Sequence, residues 1–272
     1  MTSSNVLLGL TLIFYLAGAV VLGANLFLRR PVLLVSGRLA AVVGVLLHAG
    51  AIGLRCAELK QAPFATPGEG LSALAWMIAL AYLAADGLWR LSATGPFALG
   101  LAFLLTIATW LAPDYHGTPA PALLHNRAIG LHITATLAAI GAFALAFCCA
   151  ALYLIEHRIL KHKQNMVWLK RLPPLTTVES AAFWLVAFGF PLLTLGILAG
   201  FVRFFAGDAL PAGWWSDVHS LLAFVVWAVY ALYLTARLAA NWPPVRTSYV
   251  LLVGLALCLL LFLVPSATHR FG

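Results

Sequence analysis

Eight apolar runs follow one another along this chain, separated by short polar segments. A bilayer core asks for roughly 20 consecutive apolar residues per crossing helix. On that basis the spans fall at about Asn5–Leu28, Arg38–Cys56, Leu71–Leu91, Pro96–Ala112, Asn126–Leu160, Thr176–Phe205, Asp217–Leu238 and Ser248–Pro265. The fourth is short and bounded by Pro96 and Pro113. The fifth and sixth exceed a bilayer, so they tilt or project beyond it. Pro191 inside the sixth predicts a kink.

Composition closes off the alternatives. Hydrophobic residues make up 63% of the 272, charged residues 9%, and the mean hydropathy is +1.00. No soluble domain needs that much apolar surface. In lipid each backbone polar group needs an internal partner, which apolar runs of this length meet as helices. The expectation is an all-α polytopic membrane protein, a bundle of eight transmembrane helices, with residues 1–272 forming a single integral membrane domain. The formal net charge of +8 sits in short loops between apolar runs and not on one water-facing surface, so it speaks for topology and against nucleic acid.

Basic residues set the orientation. With the N-terminus outside, the inner segments hold Arg29, Arg30, Arg38, Arg90, Arg158, Lys161, Lys163, Lys170, Arg171, Arg237 and Arg246. The outer ones hold only Arg55, Lys60, Arg127, Arg203 and Arg270. The positive-inside rule selects this arrangement, with both termini outside. The basic inner segment His157 to Pro174 reads as a topology determinant, with contact to an anionic leaflet as the alternative. The N-terminal residues lack the basic region of a signal peptide, so the first run is kept as a mature helix.

Cys56, Cys148, Cys149 and Cys258 lie in or beside apolar runs without a C-x-x-C pair. That argues against dithiol redox work, thiolate zinc and covalently attached c-type haem, and for buried structural thiols.

The polar constellation that stands out is Gly213-Trp214-Trp215-Ser216-Asp217-Val218-His219, at the edge of the seventh span. Two indoles offer flat polarizable surface, His219 a nitrogen donor, and Asp217 a carboxylate able to fix a neighbouring tautomer. The bland account makes the tryptophans interfacial anchors and Asp217 a helix N-cap. Four histidines fall in the same outer half: His48 and His132 inside spans, His219 opening the seventh and His269 closing the eighth. Ionisable residues within spans point to functional sites. Each of these histidines comes from a separate span, with no H-x-x-x-H or H-E-x-x-H spacing for zinc. Two imidazoles from different helices of a bundle suit the axial positions of a haem iron. Arg127, Arg203 and Arg270 on the same side suit its propionates, or else snorkel to headgroups. By depth, His48 pairs with His132 and His219 with His269.

Elsewhere the polar residues read as structural. His157 and His162 are solvated members of the inner loop, and His116 and His125 lie in an outer Pro/Gly-rich loop. Asp86 and Arg90 make an i, i+4 ion pair. Glu179 sits at a helix start favoured by the dipole. Gly196 to Gly200 is close-packing material between helices.

Several strings, in this order and spacing, resemble one family. They are Leu46-Leu47-His48-Ala49, Gly70-Leu71-Ser72-Ala73-Leu74-Ala75-Trp76, Leu131-His132-Ile133 and Leu172-Pro173-Pro174-Leu175-Thr176-Thr177-Val178-Glu179. Leu195-Gly196-Ile197-Leu198-Ala199-Gly200 and His219-Ser220-Leu221-Leu222-Ala223-Phe224 follow. Over nearly its whole length the chain resembles the cytochrome c assembly membrane family, which includes CcsA-type haem-lyase subunits, HemX proteins and YpjD-like proteins. The YpjD/HemX-like branch is the nearest. In the lyase members a tryptophan-rich outer segment ending in W-x-W-D carries haem between two outer histidines. Trp214, Trp215 and Asp217 look like a degenerate form of that segment. His132 matches the histidine before it, and His269 resembles the one after it. The full W-G-x-x-W-x-W-D-P-K-E string is absent, His219 stands where a lysine would be, and Thr235 replaces a membrane histidine.

The resemblance implies a haem-binding and haem-transfer protein more than an independent haem lyase. It would sit in a bacterial inner (plasma) membrane and hold b-type, non-covalent haem near the outer, periplasmic face. His132 and His269 are the implied iron ligands, with His48 and His219 as alternatives, and Trp214, Trp215 and Asp217 complete the site. Lipid, haem, apocytochrome c and other assembly subunits are the implied partners. A second reading is a HemX-like regulatory or scaffolding membrane protein without cofactor, acting through the basic inner loop. A third, a b-type electron carrier, asks for a second haem site in the inner half, where matching histidines are missing.

Overall fold

The computed structural model describes residues 3–59, 66–112, 127–163, 169, 171–205 and 218–263. Eight helices are long and apolar enough to cross a membrane. They are α1 (Ser3–Leu28), α2 (Pro31–Leu59), α3 (Pro67–Trp89), α4 (Gly95–Leu111), α5 (Arg127–His162), α6 (Leu175–Phe205), α7 (Val218–Leu238) and α8 (Pro244–Leu263). A single 3-10 turn, Ser92–Thr94, leads into α4. The described residues contain no strand, and the eight-helix all-α architecture matches the sequence expectation.

Neighbouring helices pack antiparallel in two groups. In the first, α1 lies along α2 and α4, and α3 along α4. In the second, α5 lies along α6 and α8, and α8 along α7. The groups meet where α3 packs on α5. Helix α5, 36 residues long, is the central element: 67% of its membrane window is buried, against 22–50% for the other seven. At 1.5 Å per residue it runs about 54 Å, longer than a hydrocarbon core.

Close approach at glycine makes these seams. A Cβ on Gly141 of α5 would lie 2.9 Å from Met77 Cβ and 3.1 Å from the Met77 carbonyl carbon of α3. Between lipid-bathed helices association rests on such dispersion contacts, since apolar faces gain little by leaving lipid. Gly44 of α2 plays the same part toward α1, where a Cβ would meet the Tyr15 ring at 2.7 Å. On the α7 side, the Phe143 and Tyr230 rings stack with centroids 3.5 Å apart.

Several local expectations change. Helix α2 starts at Pro31, so Arg38 lies within it and not in a loop. Its guanidinium takes the Asp86 carboxylate through two bonds, Nε at 2.6 Å and Nη2 at 3.0 Å. The anticipated Asp86–Arg90 pair is therefore not made. Arg90 ends α3 in the left-handed region (φ 55), and only its backbone N–H returns to the Asp86 carbonyl. Glu179 is not a dipole partner of the α6 terminus; it pairs with Arg237 of α7. Helix α5 continues through His162, so His157 is helical, and its ring stacks on Tyr153. Pro191 lies inside α6, as the sequence placed it. Cys148, Cys149 and Cys258 are buried free thiols and Cys56 is half-buried.

Candidate functional site

Two of the predicted histidines occupy different chemical settings. His132 stands on the second turn of α5, against the C-terminal half of α6. Its Nδ1 lies 2.6 Å from the Gly196 carbonyl oxygen. A carbonyl only accepts, so Nδ1 must carry the proton and donate. In the neutral ring the lone pair then belongs to Nε2. A backbone carbonyl that accepts from the other ring nitrogen is a usual second partner of a metal-ligating histidine.

The glycines of α6 make that bond possible. A Cβ on Gly200 would stand 3.0 Å from His132 Nδ1, and one on Gly196 would stand 3.3 Å from the His132 carbonyl oxygen and 2.5 Å from Thr136 Oγ1. Glycines four residues apart thus form a groove that takes the ring edge-on to the helix. Nearby, Phe201 of α6 faces Phe224 of α7 with ring centroids 6.1 Å apart. His219, on the first turn of α7, is half-buried at the same end of the second group.

His48 differs. It is completely buried in the first group, among α1, α2 and α3. Its Nδ1 lies 3.1 Å from the Tyr15 hydroxyl and its Nε2 2.9 Å from Ser72 Oγ. Both ring nitrogens are thus occupied, and an iron bond at His48 would require one of these contacts to break. Sequence reasoning missed both partners. A polar residue one turn along the same helical face from Gly44 was the available signal, because the Tyr15 ring lies on that glycine. Trp76, from one of the resemblance strings, donates its indole N–H to the Val45 carbonyl at 3.1 Å and joins α3 to α2.

The same end of the first group carries polar pairs that the sequence did not reveal. Arg55 Nε meets Glu69 Oε1 at 2.8 Å with both side chains buried. Thr66 caps α3 by accepting from the Glu69 N–H at 3.2 Å. Ser4 Oγ donates to Glu58 Oε2 at 2.7 Å. Arg55, counted beforehand among outer-loop cations, is a buried helix residue.

His269, Trp214, Trp215, Asp217 and Arg270 lie outside the described residues, as do the side chains of Arg127 and Arg203. Of the anticipated set, the described portion contains His132, His219 and His48. It holds the first two in the α5–α8 group and the third in the α1–α4 group.

Comparison with known proteins adds a separate finding. A family model described as "Cytochrome C assembly protein" matches residues 69–269. That range takes in His132, Trp214, Trp215, Asp217, His219 and His269, and excludes His48 and Tyr15. Protein HemX of Bacillus subtilis (strain 168) is 29% identical over 171 residues, covering 62% of this chain and 61% of HemX. Protein HemX of Brevibacillus brevis is 26% identical over 175 residues, 64% of each chain. The chain thus spans under two thirds of these HemX proteins. Cytochrome c biogenesis protein CcsA of Mesostigma viride is 24% identical over 275 residues, covering 91% of this chain and 89% of CcsA.

Proposed function

We propose that this chain, which belongs to the cytochrome c assembly protein family, holds a non-covalent b-type haem at one membrane edge and passes it on during cytochrome c assembly. The observation that carries the reading is the His132–Gly196 contact, because a backbone carbonyl on one ring nitrogen is the support that metal-ligating histidines commonly have. In this reading His132 and His269 supply the two imidazoles, with His219 as the alternative to His269. Trp214 and Trp215 offer stacking surface, and Asp217 holds a neighbouring donor. His48 is assigned to packing, since Tyr15 and Ser72 already engage both its nitrogens. His132 and His269 would hold the haem, which would supply a redox-active iron kept from side reactions by the groups around it. Independent lyase activity is not part of the proposal, because the full tryptophan-rich string is missing.

In this reading the His132 end and both termini lie outside, an orientation that the excess of Lys and Arg in the segments at the opposite end supports. In a bacterium this is the outer face of the plasma membrane, where apocytochrome c and other assembly subunits are the proposed partners. Protein purified in detergent and examined by visible spectroscopy, oxidised and reduced, tests the reading. Sharp Soret and α bands of bis-histidine haem support it. No absorbance after haem addition overturns it and leaves the second reading, a regulatory or scaffolding membrane protein without cofactor.

A further inference from the structure

At the end of the bundle away from His132, a cleft of about 440 Å³ opens between the two helix groups. Arg29, Arg90 and Arg171 line it, together with Asn25, Ser92 and Thr177. No carboxylate does so among the described residues. The nearest acidic candidate in sequence, Asp86, has its carboxylate bound to Arg38. Its apolar wall includes Trp89, Leu172 and Pro173. The volume lies within the roughly 300–1,000 Å³ of small-ligand clefts.

Two of the three arginines are set there by unusual backbone. Arg29 follows α1 with φ 47, and Arg90 follows α3 with φ 55. Their N–H groups close the helix ends on the Asn25 and Asp86 carbonyls, each at 2.9 Å. Glycine is the usual residue at such a left-handed cap. A side chain there costs about 1 kcal/mol, and a cation at a helix C-terminus offsets part of that; Lys163 follows α5 in the same conformation outside the cleft. Arg171 donates Nη1 to the Phe27 carbonyl at 2.8 Å, one of the last carbonyls of α1. That bond ties the segment before α6 across the end of α1 and closes the third wall.

We propose that this cleft binds a phosphate group, with Arg29 and Arg90 as its principal cations, and that the natural source is the headgroup of an anionic phospholipid. Guanidinium forks match phosphate oxygens in charge and geometry. The half-buried Trp89 and the leucine and proline wall suit the glycerol and first acyl carbons of a lipid, and tryptophan is at home at headgroup depth. A soluble phosphate would use the arginines and leave that wall idle.

The test uses the full chain in detergent, with native mass spectrometry counting retained phosphatidylglycerol. Arg29→Gly and Arg90→Gly together relieve the left-handed backbone, so the thermal midpoint should hold or rise while phosphatidylglycerol binding weakens about tenfold or more. Lys161→Gln with Lys163→Gln removes the same charge from the same end of the bundle outside the cleft, and should leave binding within about twofold of wild type. Equal losses in the two double variants would reduce the effect to general attraction and overturn the proposal. Inorganic phosphate is the second probe. Phosphate binding that the glycine variants abolish, with no retained phosphatidylglycerol, keeps the phosphate chemistry and overturns the lipid source. Binding of neither probe overturns both.

Discussion

His132 donates its Nδ1 proton to the Gly196 carbonyl across the α5–α6 seam at 2.6 Å, and that contact fixes the ring's tautomer. The ring cannot rotate away without losing a buried acceptor. A Cβ at position 200 would stand 3.0 Å from Nδ1, so the ring sits as close as it does because that position is glycine.

His132→Ala should therefore remove most of the haem that co-purifies with the protein, while His162→Ala, an exposed residue at the far end of α5, should leave it unchanged. The ratio of Soret absorbance to protein reads the difference. Added imidazole should restore part of the band in His132→Ala. Equal losses in the two variants would displace the proposed site.

Gly200→Leu should act at a distance of one helix. Its side chain would press on the His132 ring, whose Nδ1 stands 3.0 Å from the first added carbon. The expected result is a lowered Soret ratio with a destabilisation of about 1–3 kcal/mol, the range for overpacking. Gly100→Leu, at an open position of α4, is the matched control, and a haem content lowered as far by it would remove the special role of Gly200.

His48→Ala should show the opposite profile. It removes a completely buried ring and leaves the Tyr15 hydroxyl and Ser72 without their shared partner. A loss of about 2–4 kcal/mol is expected from cavity and lost hydrogen bonds together. The thermal midpoint in detergent should fall, and the haem spectrum of the surviving folded protein should keep its shape. A spectral change without destabilisation would return His48 to the iron.

Arg55→Met should destabilise by about 3–5 kcal/mol, because it withdraws the guanidinium that neutralises Glu69 in a buried setting. Arg55→Met combined with Glu69→Leu should recover much of that loss. A double variant as unstable as the sum of the two singles would show that the pair is not coupled.

Much of the candidate site was legible in the chain, but for unequal reasons. His132 stood out as an ionisable group within an apolar run, and its family position agreed. The glycines at 196 and 200 were visible only as generic packing material, because nothing local says that the helix lying on them brings a histidine. His48 looked equivalent to His132 from its depth. Its bonds to Tyr15 and Ser72, 33 and 24 residues away, set it apart.

The order, number and approximate length of the helices were decided by the amino-acid sequence alone. Whether twenty residues can leave water is a property those residues carry wherever they are placed. Tertiary structure alone decided the partners: Arg38 and not Arg90 for Asp86, Arg237 for Glu179, Gly196 for His132. A charge or ring nitrogen in the bundle bonds to whatever an adjoining helix presents at its depth, and that depends on which glycine seams close. Hydropathy counts transfer from water residue by residue and contains no term for what two buried helices offer each other.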